Sequence, residues 1–254
     1  MSEGLHVSYP VEGVVLIELD APPANALAHE TRLRLEKEID AIEHNLGVRA
    51  VVLTGRGKGF CAGDDLREAQ TRKDAPIASM EQFGRMLDKI ERLRVPVIAA
   101  VNGHAIGGGL ELALCCDLRV ASPQGWFLGA GVNIGLMAST YRLPRLIGIG
   151  PAKAMLLTGL RVDAATALRY GLVTEIYDAD ELLSNALALA TRIATRGPLA
   201  VEAAKRMIGQ AFDLAPSEAA SVAELEWHKL ATSNDYKIGL SAFATRQEPK
   251  FTRS

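Results

Sequence analysis

Three consecutive glycines, Gly107-Gly108-Gly109, constrain this chain more than any other stretch. An apolar run over residues 95–101 leads into them, and an apolar helical stretch over residues 110–116 leads out. The full passage reads Gly103-His104-Ala105-Ile106-Gly107-Gly108-Gly109-Leu110-Glu111. Glycines between a buried strand and a helix are costly in backbone entropy. They allow bare backbone to approach another group closely, with N–H donors aimed outward at a helix start. Glu111 falls in the first turn, where the helix dipole favours a carboxylate. Amide donors beside one acid are the parts needed to stabilise an oxyanion while a proton moves. A tight turn followed by a capping glutamate is the plainer alternative for this stretch taken alone.

The bulk properties narrow the class. With 254 residues and 48% hydrophobic content, the chain has ample material for a core. A net charge of −2 gives no electrostatic case for nucleic acid. Residues 1–10 are mixed and polar, so no secretory leader is expected, and no apolar run approaches a membrane span. The cysteines, Cys61, Cys115 and Cys116, are odd in number and two are adjacent, which disfavours a disulfide framework and points to a reducing cytoplasm. They lack metal-ligand spacing and the five histidines are scattered, so no metal site is expected.

In order, residues 5–9 and 14–19 read as strands joined by a hairpin at Glu12-Gly13. Leu33, Leu35, Ile39 and Ile42 suit an amphipathic helix over residues 29–45. Residues 48–54 form a buried strand, residues 80–93 a helix, and residues 95–101 the central strand. Pro151 is expected at N1 of a helix, and Asp163 at the N-cap of another. Residues 171–176 read as a last strand. Four helices are expected over residues 180–195, 198–211, 216–231 and 235–245. The Ala/Leu-rich stretch 182–193 is apolar on more than one face, which suggests a subunit contact.

A second glycine loop follows the strand at residues 48–54: Gly55-Arg56-Gly57-Lys58-Gly59-Phe60-Cys61-Ala62-Gly63-Asp64-Asp65-Leu66. It contains no Gly-Lys-Ser/Thr triplet and no dinucleotide fingerprint. Two strand–loop–helix units thus present backbone donors, as an enolising thioester requires.

Phe60-Cys61-Ala62-Gly63-Asp64-Asp65-Leu66, taken with Asn102-Gly103-His104-Ala105-Ile106-Gly107-Gly108-Gly109-Leu110-Glu111-Leu112-Ala113, resembles the crotonase (enoyl-CoA hydratase/isomerase) superfamily. The likeness runs from Asn25-Ala26-Leu27 to Lys250-Phe251. It implies an α/β, crotonase-like (ClpP/crotonase) spiral of β-β-α units over residues 1–196. Residues 197–254 would be a C-terminal α-helical region for trimerisation, with trimers often paired into hexamers. The resemblance also implies an oxyanion hole from the backbone N–H groups of Asp64 and Gly108, and Glu111 as a catalytic acid/base. Lys58, Ala62 and Leu66 match positions lining the coenzyme A site, and Lys250 a basic residue reaching coenzyme A phosphates. The implied partner is an acyl-CoA thioester; no separate cofactor is implied, since coenzyme A belongs to the substrate.

One departure matters. Hydratases of the family carry a second glutamate, and Gly131 stands at that position. Between Glu111 and Glu175 the only acids are Asp117 and Asp163. The following loop, Leu136-Met137-Ala138-Ser139-Thr140, is shorter than the family's form, and glycine plus short loop are expected to leave room beside the acyl group. A carboxylate on Asp64 would repel a developing enolate unless it turns away or is protonated. Tyr141 is placed for a polar contact to substrate, Asp65 for holding its loop, His104 for packing, and Cys61 as an apolar filler. The expected function is hydration or dehydration of a 2-enoyl-CoA. Double-bond isomerisation, decarboxylation of a malonyl-type acyl-CoA, or acyl-CoA binding with impaired catalysis are the alternatives opened by Gly131.

Overall fold

The computed structural model describes residues 4–71 and 76–254. The chain begins with a hairpin, β1 (Gly4–Val11) and β2 (Val14–Asp20), turned at Gly13 with φ +75°. β3 (Ala26–Leu27) and α1 (His29–His44) follow. Next come β4 (Ala50–Gly55), β5 (Gly59–Cys61), β6 (Gly63–Asp64), α2 (Leu66–Thr71) and α3 (Pro76–Arg92). The glycine passage is carried by β7 (Val97–Val101), β8 (His104–Ile106) and α4 (Gly108–Leu114). β9 (Leu118–Ala121) and β10 (Trp126–Leu128) lead to a 3₁₀ turn, Ala130–Ile134. Then come α5 (Arg142–Ile147), α6 (Ile149–Thr158), β11 (Val162–Asp163), α7 (Ala164–Tyr170) and β12 (Glu175–Ile176). The chain closes with α8 (Leu182–Ala194), α9 (Pro198–Gly209), α10 (Pro216–Thr232) and α11 (Asn234–Thr245).

Successive turns of the chain give one strand to each of two sheets. The larger sheet runs β1-β2-β4-β7-β9-β12 and is parallel after its first hairpin. The smaller runs β11-β10-β8-β5, and β3 pairs with β6 apart from both. This is the spiral of β-β-α units expected from the sequence. Strand periodicity explains how the large sheet is covered on both faces. Val15, Ile17, Val51, Leu53, Val97 and Ala99 face the main core. Val14, Leu16, Ala50, Val52, Ile98 and Ala100 face α8.

That second face corrects one expectation. Leu182, Ala186 and Ala190 of α8, one helical turn apart, lie buried on the sheet of the same chain. The apolar character of α8 is therefore spent within the chain, because the back of a parallel sheet must be covered. Smaller differences follow from packing. Only Glu175–Ile176 of the expected last strand pairs in the sheet, and α6 starts two residues before Pro151. Asp163 does cap α7, accepting from Thr166 N–H at 2.8 Å.

Asn25 ties the first turn to the first glycine loop. Buried at φ +55°, it donates through Nδ2 to the carbonyls of Arg56 (2.9 Å) and Gly59 (2.7 Å). Its Oδ1 accepts from Ala21 N–H at 3.0 Å. Asn25→Ala strands two carbonyls and one amide, and should lower unfolding free energy by about 2–4 kcal/mol. Urea denaturation measures it; a loss under ~1 kcal/mol contradicts the assignment.

Candidate active site

The glycine triplet is explained residue by residue. Gly107 takes φ +51° and its N–H donates to Leu128 O at 2.9 Å. A Cβ on Gly108 would lie 2.6 Å from the Phe83 ring, and one on Gly109 would lie 2.1 Å from Cys61 O. A Cβ on Gly63 would fall 2.7 Å from Gly108 N. The two loops therefore touch backbone to backbone, Gly63 against Gly108. Gly108 opens α4, so its N–H has no acceptor within the helix, and among the described residues no turn carbonyl supplies one.

Glu111, in the first turn of α4, projects from the same backbone. Its side chain is 10% exposed, and Oε2 accepts from Arg142 Nη1 at 3.2 Å. Among the described residues Oε1 has no hydrogen-bond partner, and it is not among the fully sealed polar atoms. One carboxylate oxygen is thus anchored and the other is left for chemistry.

Arg142, at the start of α5, is a cation that the sequence did not single out. Its Nε and Nη2 donate to Glu91 Oε2 at 3.0 and 2.8 Å, and Nη2 donates to Asp88 Oδ1 at 2.6 Å. Asp88 and Glu91 belong to α3 and are half-exposed, so Glu111 is the buried member of the group. The guanidinium lies 4.5 Å from the Tyr141 ring centroid. Tyr141 is 52% exposed. Loss of hydration, with a smaller push from Glu91 and Asp88, moves its hydroxyl up to about 12 against the opposing pull of Arg142. At neutral pH it is a phenol able to donate.

The second-acid position differs from expectation. A Cβ on Gly131 would meet Leu136 O at 2.9 Å and Ala138 N at 3.1 Å. The short segment folds back over Gly131, so glycine and short loop leave no added room at that residue. The physical reason is direct: a shortened loop must cut across the space a side chain would use. Leu136 N–H donates to Gly131 O at 2.9 Å, fixing that course.

The other sequence candidates separate. Ala62 and Leu66 flank the contact between the loops, Ala62 N–H donating to Ala24 O at 3.0 Å. Lys58 is exposed, on the turn whose carbonyl packs against Gly103. Lys250 lies in the C-terminal tail, where Phe251 packs on Gly197 and Gly239, so single-chain contacts do not bring it to Glu111. Asp65 Oδ1 accepts from Arg67 and Glu68 N–H, holding its loop as expected. His104 Nε2 pairs with Ala24 O at 3.1 Å, and the ring fills the space beside Gly59. Cys61 is sealed.

The missed cations had different signals. Arg32 shares a helical stripe with Leu35, Ile39 and Ile42 and is 1% exposed, whereas Leu33 is exposed. A charge on a buried stripe is legible as an anomaly. Arg142 had no such signal, because its three partners come from two other helices.

The sequence profile of the Enoyl-CoA hydratase/isomerase family matches residues 10–254. The chain is 34% identical to a crotonyl-CoA hydratase of Syntrophomonas wolfei, over 94% of this chain and 95% of that one. It is also 34% identical to a short-chain-enoyl-CoA hydratase of Clostridium acetobutylicum, over 92% of each. Among solved structures, an enoyl-CoA hydratase from Bacillus anthracis superposes with a TM-score of 0.96 at 32% identity, covering 99% of this chain and 100% of that one.

Two measurements test the site's geometry. Arg142→Met leaves a buried carboxylate uncompensated and should destabilise the fold by about 3–5 kcal/mol; a urea midpoint near that of the unaltered protein would refute the anchoring. Burial raises the thiols of Cys61 and Cys116 to about 12, and raises Cys115 as well. At pH 8 the thiolate fraction is then of order 10⁻⁴ for the first two, so native protein should resist DTNB until urea is added. Rapid labelling of one thiol per chain contradicts this.

Proposed function

The chain belongs to the enoyl-CoA hydratase/isomerase family, and from that premise we propose that it adds water to, and removes it from, a 2-enoyl-CoA with Glu111 as the single acid/base. The supporting observation is the split role of the Glu111 carboxylate, one oxygen held by Arg142 and the other without a hydrogen bond among the described residues. In this reading the N–H groups of Asp64 and Gly108 receive the thioester oxygen, lowering the barrier to an enolate. Glu111 Oε1 takes a proton from water as the oxygen bonds to the β-carbon. The same proton then goes to the α-carbon as the enolate collapses, which restores the carboxylate. Tyr141 donates to the acyl group or its water. Lys58, Ala62 and Leu66 hold coenzyme A, and no cofactor is needed beyond the coenzyme A already on the substrate.

Lys250 fits this scheme by reaching coenzyme A on a neighbouring subunit. Phe212, Trp227, Leu240 and Phe243, large apolar side chains exposed in and beside the C-terminal helices, support a trimer or dimer of trimers. Among the described residues no helix is long and apolar enough to cross a membrane. Three free cysteines fit a cytoplasmic enzyme of fatty acid metabolism.

One observation favours a second reading. The filled space at Gly131 removes the site of a second acid, and a lone carboxylate suits a one-base shift of a double bond between carbons. Assaying 2-enoyl-, 3-enoyl-, 3-hydroxyacyl- and malonyl-CoA thioesters by mass spectrometry separates hydration, isomerisation and decarboxylation. Binding without product on every thioester would leave an acyl-CoA binder.

Glu111→Gln should lower kcat about 10³-fold with acyl-CoA affinity retained; unchanged turnover removes Glu111 from the mechanism. Gly131→Glu should destabilise the protein without raising hydration, because its Cβ meets the backbone of residues 136–138. A gain in hydratase rate in that variant would show that the segment yields and that two acids can be accommodated.

A further inference from the structure

We infer that Arg32 is a positioning residue of the oxyanion site, neutralising the Asp64 carboxylate so that the amide of the same residue can receive a developing enolate. The inference rests on the acyl-CoA reading above. Asp64 would otherwise set a negative charge beside the oxygen its own N–H is to stabilise. At ~5 Å and an effective dielectric of ~20, one such charge changes an enolate equilibrium by roughly a few hundredfold.

The structure shows where that charge goes. Arg32 Nη1 lies 3.4 Å from Asp64 Oδ1, the arginine 1% exposed and the aspartate side chain 30%. Nη2 donates to Ser79 Oγ at 3.3 Å and lies 4.0 Å from Glu68 Oε2. Glu68 Oε2 also accepts from His29 N–H at 2.9 Å. The guanidinium sits 5.6 Å from the centroid of Phe83, the ring that abuts Gly108. Arg32 therefore touches one oxyanion loop through an ion pair and backs the other through an aromatic ring. A fully buried arginine is costly without carboxylates, and this one is supplied with them at the residue whose charge would oppose the reaction.

The test is a pH titration of the bound enolate of acetoacetyl-CoA, followed by its ultraviolet absorbance. It reads the oxyanion site whether or not an enoyl-CoA is turned over. Arg32→Gln should raise the apparent pKa of the bound ligand by about one to two units, a 10- to 100-fold weaker hold on the enolate. R32Q/D64N should return to within about half a unit of the unaltered protein, and R32K should stay within that range. If R32Q does not fold, D64N decides: Arg32 then lacks that carboxylate, and the ligand pKa should fall. A shift in R32Q that persists in R32Q/D64N overturns the inference, as does a rise or no change in D64N. Enolate binding that obeys these outcomes without turnover of any enoyl-CoA would sink hydration and leave this assignment standing. Failure of the unaltered protein to bind the thioester would overturn both.

Discussion

The site depends on the close contact of two stretches of bare backbone. Gly63 and Gly108 approach until no Cβ fits between them, and Gly109 lies as tightly on Cys61 O. This contact seats Gly63 against the start of α4, and so fixes the direction in which Glu111 leaves that helix. Side chains at these positions would push the loops apart by a carbon atom's width. Two donors that serve one oxygen, as proposed here, would not tolerate that displacement. The parallel sheet supplies the rigidity, since β4 and β7 are neighbours and deliver the strands before both loops to the same edge.

Charge around that contact is arranged by helices distant in sequence. Arg142 brings Asp88 and Glu91 of α3 and Glu111 of α4 to a single guanidinium, using arginine's planar fork to hold several oxygens. Arg32 does the corresponding work for Asp64. Both arginines are buried, and each is stabilised by carboxylates close to the proposed chemistry. One arginine thus stands behind Glu111 and another behind the loop that carries Asp64.

The family profile and relatives named as enoyl-CoA hydratases agree on the enoyl-CoA hydratase/isomerase class. The filled position at Gly131 distinguishes how this chain would perform such chemistry. The backbone of residues 136–138 occupies the start of the path a second acid would take. Water activation and protonation of carbon are then left to one carboxylate acting in sequence.

Local patterns in the sequence determined the strands, most helices and the two glycine loops, because alternation, helical spacing and glycine runs act over a few residues. They also placed Glu111 in a first helical turn and exposed the missing acid. Arg32 left a trace as a charge on an apolar stripe. Only the tertiary structure decided that α8 covers the sheet, that residues 136–138 fill the space over Gly131, and that Arg142 holds Glu111. Each of these joins residues from separate turns of the spiral. Their distance is set by how sheets and helices stack, and no pattern local to either partner encodes it.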